Sequence, residues 1–287
     1  MTRTTQPQVA GAGIGRALSY LRPACSALIA PHAVVLDTGG QLRPRVQLRV
    51  DRAGTPEQQF SAAVTDLLQM VDASGMRGRR LRLVLSDFWA RPMLLALPGQ
   101  VPDDDETDVL LQGQYRRTYG ELMAGWSICW TRQATQLLAV AWPGAGLRAL
   151  GEGLALRGWV LERARPLAID VARYAAAQGS SAWLVIVERH SASCVRQQDG
   201  VWIEWIVGRA DQDAGASLPL LLERENARRG DTCRSATIID LDGTADMNLI
   251  RKTLADSGWA LRVRSVNEAG AGQAWRLSRQ IAAGAMA

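Results

Sequence analysis

The sequence predicts an α/β protein built from two related halves. The first observation is strand order. Residues 182–264 read as three strands, helix, strand, helix, strand, and residues 24–86 open with three strands, helix, strand. The second is an internal match. Leu154-Ala-Leu-Arg-Gly158-Trp159-Val-Leu161 aligns with Leu254-Ala-Asp-Ser-Gly258-Trp259-Ala-Leu261, and five of the eight positions agree. Each copy ends a helix on glycine and opens a strand on tryptophan. A corner that recurs within a recurring strand order is the mark of duplication.

Each element follows from its residues. Segments 24–30, 33–37 and 42–50 read as strands, the last with Val46, Leu48 and Val50 alternating with polar residues. Pro56 opens a helix whose Phe60, Val64, Leu67, Leu68 and Val71 recur at helical spacing. Gly75 and Gly78 end it. Leu81 to Leu85 is a buried strand and Met93 to Leu97 a shorter one. The acidic run Asp103, Asp104, Asp105, Glu106 and Asp108 lacks EF-hand spacing. It reads as a helix start, because Arg116 and Arg117 follow near the end and Gly120 lies just past it. Trp126 to Thr131 and Gln136 to Trp142 form a strand pair. A glycine-weakened helix covers 144–156, a strand Trp159 to Glu162, and a helix runs from Pro166 to Ala177. Strands at 182–189, 192–197 and 201–207 follow, with Asp199-Gly200 as a hairpin turn. Then come a helix over 215–229, a strand over 235–241, a helix over 245–256 and a strand over 259–264. The small, apolar tail 275–287 reads as helical.

This order divides the chain into a flexible leader over 1–23, a first lobe over 24–165 with an inserted hairpin and helix near 87–131, and a second lobe over 166–287. Two mixed halves of this kind are the plan of the actin-like fold, which is two duplicated ribonuclease-H-like lobes.

Composition narrows the function classes. The 287 residues are 47% hydrophobic and 21% charged, enough to bury a full core without disulfides or metal. No apolar run approaches the ~18–20 residues of a membrane span. Met1 to Ala10 is polar and lacks a signal-peptide apolar region, so the expectation is a soluble, cytoplasmic protein. The net charge is +5, yet Lys252 is the single lysine. The arginines occur in short groups interspersed with acids, which does not make a nucleic-acid surface. Cys25, Cys129, Cys194 and Cys233 are scattered, and one histidine (His190) near one cysteine does not make a zinc site. They read as small core residues. No metal or other cofactor is expected. Trp202 and Trp205 lie three apart on a strand, so they are expected to face opposite sides; both read as core residues, the alternative being that one is exposed to a partner.

Two motifs touch on chemistry. Asp37-Thr38-Gly39-Gly40, after the apolar Val34-Val35-Leu36, resembles the first phosphate loop of actin-like ATPases, where a carboxylate holds magnesium-bound water and glycines turn N–H groups to phosphate. The same tetrapeptide is an ordinary hairpin turn. The matching place in the second half, Val187-Glu188-Arg189-His190-Ser191-Ala192, has no glycine. A glycine pair on the adenosine side is missing too, with Gly208 and Gly215 seven apart. The nucleotide site therefore reads as eroded. Ile238-Ile239-Asp240-Leu241-Asp242-Gly243-Thr244 has the D-x-D-G-T form of haloacid-dehalogenase-like phosphatases, with a nucleophile and a general acid. Too little chain follows to hold the rest of that core. The plain reading is a strand end, a glycine turn and an N-cap from Thr244. No P-loop, dinucleotide fingerprint, nucleophile elbow or zincin motif occurs.

The succession Leu81-Arg-Leu-Val-Leu-Ser86-Asp87, Arg91, Leu94 to Pro98, the acidic helix ending Tyr119-Gly120, Gly125-Trp126, Pro166 and the hairpin Asp199-Gly200-Val-Trp202 resembles the PilM-like and GspL-cytoplasmic-domain-like proteins of type IV pilus and type II secretion machines. The likeness spans about 80–265. It implies an actin-like, non-enzymatic assembly platform, peripheral to the inner membrane. The implied partners are the cytoplasmic segment of an inner-membrane pilus or secretion protein and the assembly ATPase. It places the partner groove against the first lobe, beside Arg43 and Arg45. No catalytic residue is expected on this reading. The competing classes are an actin-like ATPase or sugar-kinase-like enzyme using Asp37, and a phosphatase using Asp240 and Asp242.

Overall fold

The computed structural model describes residues 24–38, 45–48, 54–97, 102–123, 125–133, 135–176, 183–188, 191–198, 201–209, 214–229, 234–240 and 246–265. In chain order the elements are β1 (Ala24–Ala30), β2 (Ala33–Asp37), β3 (Arg45–Leu48), α1 (Pro56–Ser74), β4 (Arg80–Leu85), β5 (Arg91–Ala96), α2 (Asp104–Tyr119), β6 (Trp126–Gln133), β7 (Gln136–Pro143), α3 (Gly144–Leu156), β8 (Val160–Pro166) and α4 (Leu167–Ala176). They continue as β9 (Trp183–Glu188), β10 (Ser191–Gln198), β11 (Val201–Arg209), α5 (Ala214–Arg229), β12 (Ser235–Asp240), α6 (Met247–Asp256) and β13 (Ala260–Ser265). A single 3-10 turn, Asp87–Trp89, links β4 to β5.

The duplication is complete at the level of the sheets. One has the order β3-β2-β1-β4-β8 and the other β11-β10-β9-β12-β13. In each, the first three strands form an antiparallel meander and the last two join it in parallel. The chain is thus α/β and actin-like, with two ribonuclease-H-like lobes, as the sequence predicted. A third sheet, β5-β7-β6, lies in the chain between β4 and β8. It covers α2 on one face, where Leu111 and Tyr115 meet Leu137, Ala139 and Ala141.

Local chemistry sets the helix ends. Thr55 caps α1 in a reciprocal box with Gln58, Pro56 occupies the first turn, and Gly75 closes it at φ 66°. The acidic run does start α2: Asp103 and Glu106 form its capping box and Gly120 follows Tyr119. For α6 the cap is Asp246, which accepts the Asn248 and Leu249 N–H groups, rather than Thr244. The glycines of α3 are packing residues. A Cβ on Gly146 would lie 2.4 Å from Phe60 Cδ1, and one on Gly153 would lie 2.6 Å from Leu68 Cδ1. They let α3 approach α1 closely, which the sequence registers only as weakened helix.

Trp202 and Trp205 overturn the expectation of opposite faces. Opposite β10, Arg196 pairs with Glu204 but Gln197 pairs with Trp202, leaving Ile203 as an extra residue. This bulge rotates the strand and brings both indoles to one face. They are 6% and 5% exposed, with ring centroids 5.2 Å apart. Both join an apolar cluster that runs through the two lobes. It includes Leu28 and Val84 of the first sheet, Val171 of α4, and Leu184, Ile186 and Val195 of the second. A separate cluster, with Trp183, Val185, Cys194 and Ile238, lies between the second sheet and α5 and α6.

Candidate functional site

In open α/β sheets, ligand sites form beyond the carboxyl ends of the parallel strands. Here those ends are reached at Ala30, Leu85 and Pro166 in the first lobe and at Glu188 and Asp240 in the second. Asp87 follows β4 immediately and is wholly buried. Its carboxylate accepts the Ala168 N–H at 3.0 and 3.2 Å, at the first turn of α4. It also accepts the Ser193 hydroxyl of the second lobe at 2.8 Å. The return contact runs from the Asp87 N–H to Glu188 Oε2 at 3.2 Å, and Ser191 donates to the same oxygen at 3.0 Å. Asp170, also buried, faces Arg165 at 3.6 Å.

Burial pushes the Asp87 carboxyl up to about 7, against the pull of Ser193 and of the α4 N–H groups, with Asp170 adding to the rise. The turns at these strand ends are short where they are described. Ala30 pairs with Ala33, so the β1–β2 turn consists of Pro31 and His32 alone. Proline has no N–H, and a phosphate cradle needs several in succession. In the second lobe Glu188 pairs with Ser191, and Arg189 and His190 between them lie outside the described residues. Among the described residues no set of three His, Cys, Asp or Glu side chains can hold a metal ion.

The residues singled out in the sequence lie elsewhere. Asp37 ends β2 and pairs with Ser26, near the start of β1. That is four residues back from the crevice end, ~13 Å along the strand. Thr38 follows it, while Gly39 and Gly40 lie outside the described residues. Arg45 begins the edge strand β3, opposite Leu36, and Arg43 is outside the described residues. Asp240 is buried at the end of β12, and Asp242 to Thr244 are again outside. Burial pushes the Cys25 and Cys129 thiols up to about 11 and Cys194 up to about 12, so none is a thiolate at neutral pH. The cluster of Asp87, Ser193 and Glu188 was missed. Its one sequence signal is the polar pair Ser86-Asp87 closing an apolar strand run.

A second contact joins the inserted sheet to the second lobe. The Trp202 N–H donates to Gln133 Oε1 at 2.9 Å, and Gln136 Nε2 donates to the Trp202 carbonyl. Two amide side chains thus occupy backbone groups of the edge strand β11.

No protein-family model matches the sequence, and no curated protein matches it. Solved structures do match in fold. A protein with an actin-like ATPase fold and unknown function from Bacteroides thetaiotaomicron aligns with a TM-score of 0.61 at 9% identity, covering 93% of this chain and 99% of that one. The PilM–PilN type IV pilus biogenesis complex gives 0.58 at 13% identity, over 90% of this chain and 93% of that one. The cytoplasmic domain of EpsL, an inner-membrane component of the type II secretion system of Vibrio cholerae, gives 0.54 at 10% identity, over 91% and 94%. The chain has the actin-like fold along nearly its whole length, and in that fold it is similar to PilM and to the cytoplasmic domain of EpsL.

Proposed function

We propose that this protein is a non-enzymatic scaffold of a bacterial type IV pilus or type II secretion apparatus. It works at the cytoplasmic face of the inner membrane and is recruited by the cytoplasmic segment of a membrane partner. The observation that carries the reading is the β1–β2 turn. Only Pro31 and His32 separate the paired Ala30 and Ala33 where an actin-like enzyme would need a phosphate cradle. The apolar cluster running through both lobes supports it further, because a large apolar interface resists the hinge motion that a nucleotide cycle uses. The likeness to PilM and to the EpsL cytoplasmic domain supplies the machine class. No helix among the described residues is long and apolar enough to cross a membrane, which is consistent with recruitment by a partner.

Two measurements test this. Pull-down of the tagged protein from detergent-solubilised membranes of its host should recover an inner-membrane component of a pilus or secretion system. Recovery of none overturns the recruitment. The purified protein should not turn over ATP. Turnover of ATP by the purified protein overturns the non-enzymatic reading.

A further inference from the structure

We propose that this protein associates with a second copy of itself through the outer face of α3, the two helices lying antiparallel about a two-fold axis at the level of Leu150. The inference stands on this helix face and its charges and does not depend on the scaffold reading.

The helix has a packed side and an open side. Leu150 and Leu154 are buried, and Gly146 and Gly153 sit against Phe60 and Leu68 of α1. At about 3.6 residues per turn, the exposed residues Ala145, Arg148, Ala149, Glu152, Ala155 and Leu156 share the opposite face. That face is mostly apolar for one turned to solvent, and Leu156 is 88% exposed. A lone exposed leucine is ordinary. The second lobe, however, shows what the same place carries when it meets only water. Its matching helix, α6, is placed by the same bond, from Trp259 N–H to the Leu254 carbonyl as from Trp159 to Leu154. There the counterpart of Leu156 is the exposed Asp256, and that of Glu152 is the exposed Lys252. The fold does not demand an apolar residue at this corner.

The charges name the occupant. Arg148 and Glu152 are exposed, and among the described residues neither forms an ion pair. Arginine ahead of glutamate is the weaker order for pairing within one helix. A two-fold axis crossing α3 at the level of Leu150 sets Arg148 of each copy opposite Glu152 of the other, so symmetry makes two pairs at once. The same operation sets Ala145 opposite Ala155, where small side chains let the helix axes approach closely. It also lays Leu156 of each copy over the first turn of the other α3. An unrelated partner would have to carry the complement of this pattern, whereas a second copy carries it already. A helix of 13 residues is only ~20 Å long. The association is therefore weak, with a dissociation constant on the order of micromolar, and salt weakens it further.

The test is sedimentation velocity of the purified full chain over about 1 to about 100 µM, with circular dichroism to check the fold of each variant. Expected is a shift from monomer to dimer as concentration rises. Leu156→Asp copies the residue of the second lobe and should weaken association about tenfold or more, because the leucine is lost twice. Arg148→Glu and Glu152→Arg should each weaken self-association more than about tenfold, since each sets like charges opposite one another at two places. An equimolar mixture of those two variants should dimerise to within about threefold of the unaltered protein, because every facing pair is then opposite in sign. Lys252→Glu, on the matching face of the second lobe, should change nothing. A protein that stays monomeric at about 100 µM overturns the proposal. So does a dimer that Leu156→Asp leaves intact, or a mixture of the two charge variants that fails to associate. Should Leu156→Asp not fold, the two charge variants and their mixture decide.

Discussion

Trp159 and Trp259 stand at the same corner of the two lobes. The N–H of each donates to the carbonyl of the leucine five residues earlier, Leu154 at 2.8 Å and Leu254 at 2.9 Å. The preceding glycines, Gly158 and Gly258, have φ of 71° and 78°. The next residue in each copy then enters the outer parallel strand through a backbone bond, Val160 to Arg79 and Ala260 to Arg234. The indoles differ only in acceptor: Trp159 donates to the Met76 carbonyl and Trp259 to Glu223.

Gly158→Ala and Gly258→Ala should each cost ~1–2 kcal/mol, the penalty of a side chain in left-handed backbone. The nearest atom to a Cβ at either place is 3.8 Å away, so no clash adds to it. Urea unfolding measures both. Equal costs are expected from equivalent corners, and a neutral result at either one would break the equivalence.

The glycines of α3 should respond in opposite directions. Gly151 has open space around it, so Gly151→Ala should stabilise by up to ~1 kcal/mol through helix propensity. Gly146→Ala places a methyl 2.4 Å from the Phe60 ring and should destabilise in spite of the same propensity gain. Thermal melts of the two variants separate packing from propensity.

Removing the amide clamp should loosen the edge of the second sheet. Gln133→Ala with Gln136→Ala leaves the Trp202 N–H and carbonyl without these partners. A loss of ~1–3 kcal/mol is expected, together with faster exchange of the Trp202 amide. Unchanged exchange there would show that the two glutamines hold nothing.

Acid stability should depend on Arg228. Burial alone would push the Glu225 carboxyl up, but hydrogen bonds from Arg228 at 2.7 Å and Arg224 at 2.9 Å outweigh it and hold the group below the usual carboxylate range. A carboxyl lowered in the folded state contributes stability above its unfolded value, and that stability is lost as pH falls through the folded value. Arg228→Met should therefore move acid unfolding to higher pH. The shift should vanish when Glu204→Gln and Glu225→Gln are already present, since Arg228 also bonds Glu204. Circular dichroism against pH reads both.

Much of this architecture was legible in the sequence because it is written in local patterns. Alternating apolar runs gave the strands, Pro56, the acidic run from Asp103 and Gly75 mark helix ends by their own side-chain and backbone chemistry, and the Gly-Trp corner announced the duplication. What failed was whatever depends on a neighbour distant in the chain. The two indoles of β11 share a face because of one extra residue opposite β10, and no periodicity within a single strand can reveal a bulge.

The sequence by itself determined two α/β lobes of one strand order, because hydrophobic period and capping act over a few residues. Tertiary structure alone decided where the polar groups meet. It placed Asp37, which opens the tetrapeptide resembling a phosphate loop, away from the carboxyl ends of the parallel strands, and it brought Asp87 to Ser193 across 106 positions of sequence. Only packing removes water from such a junction. Burial, rather than residue type, is what pushes the carboxyl of an ordinary aspartate after β4 up to about 7.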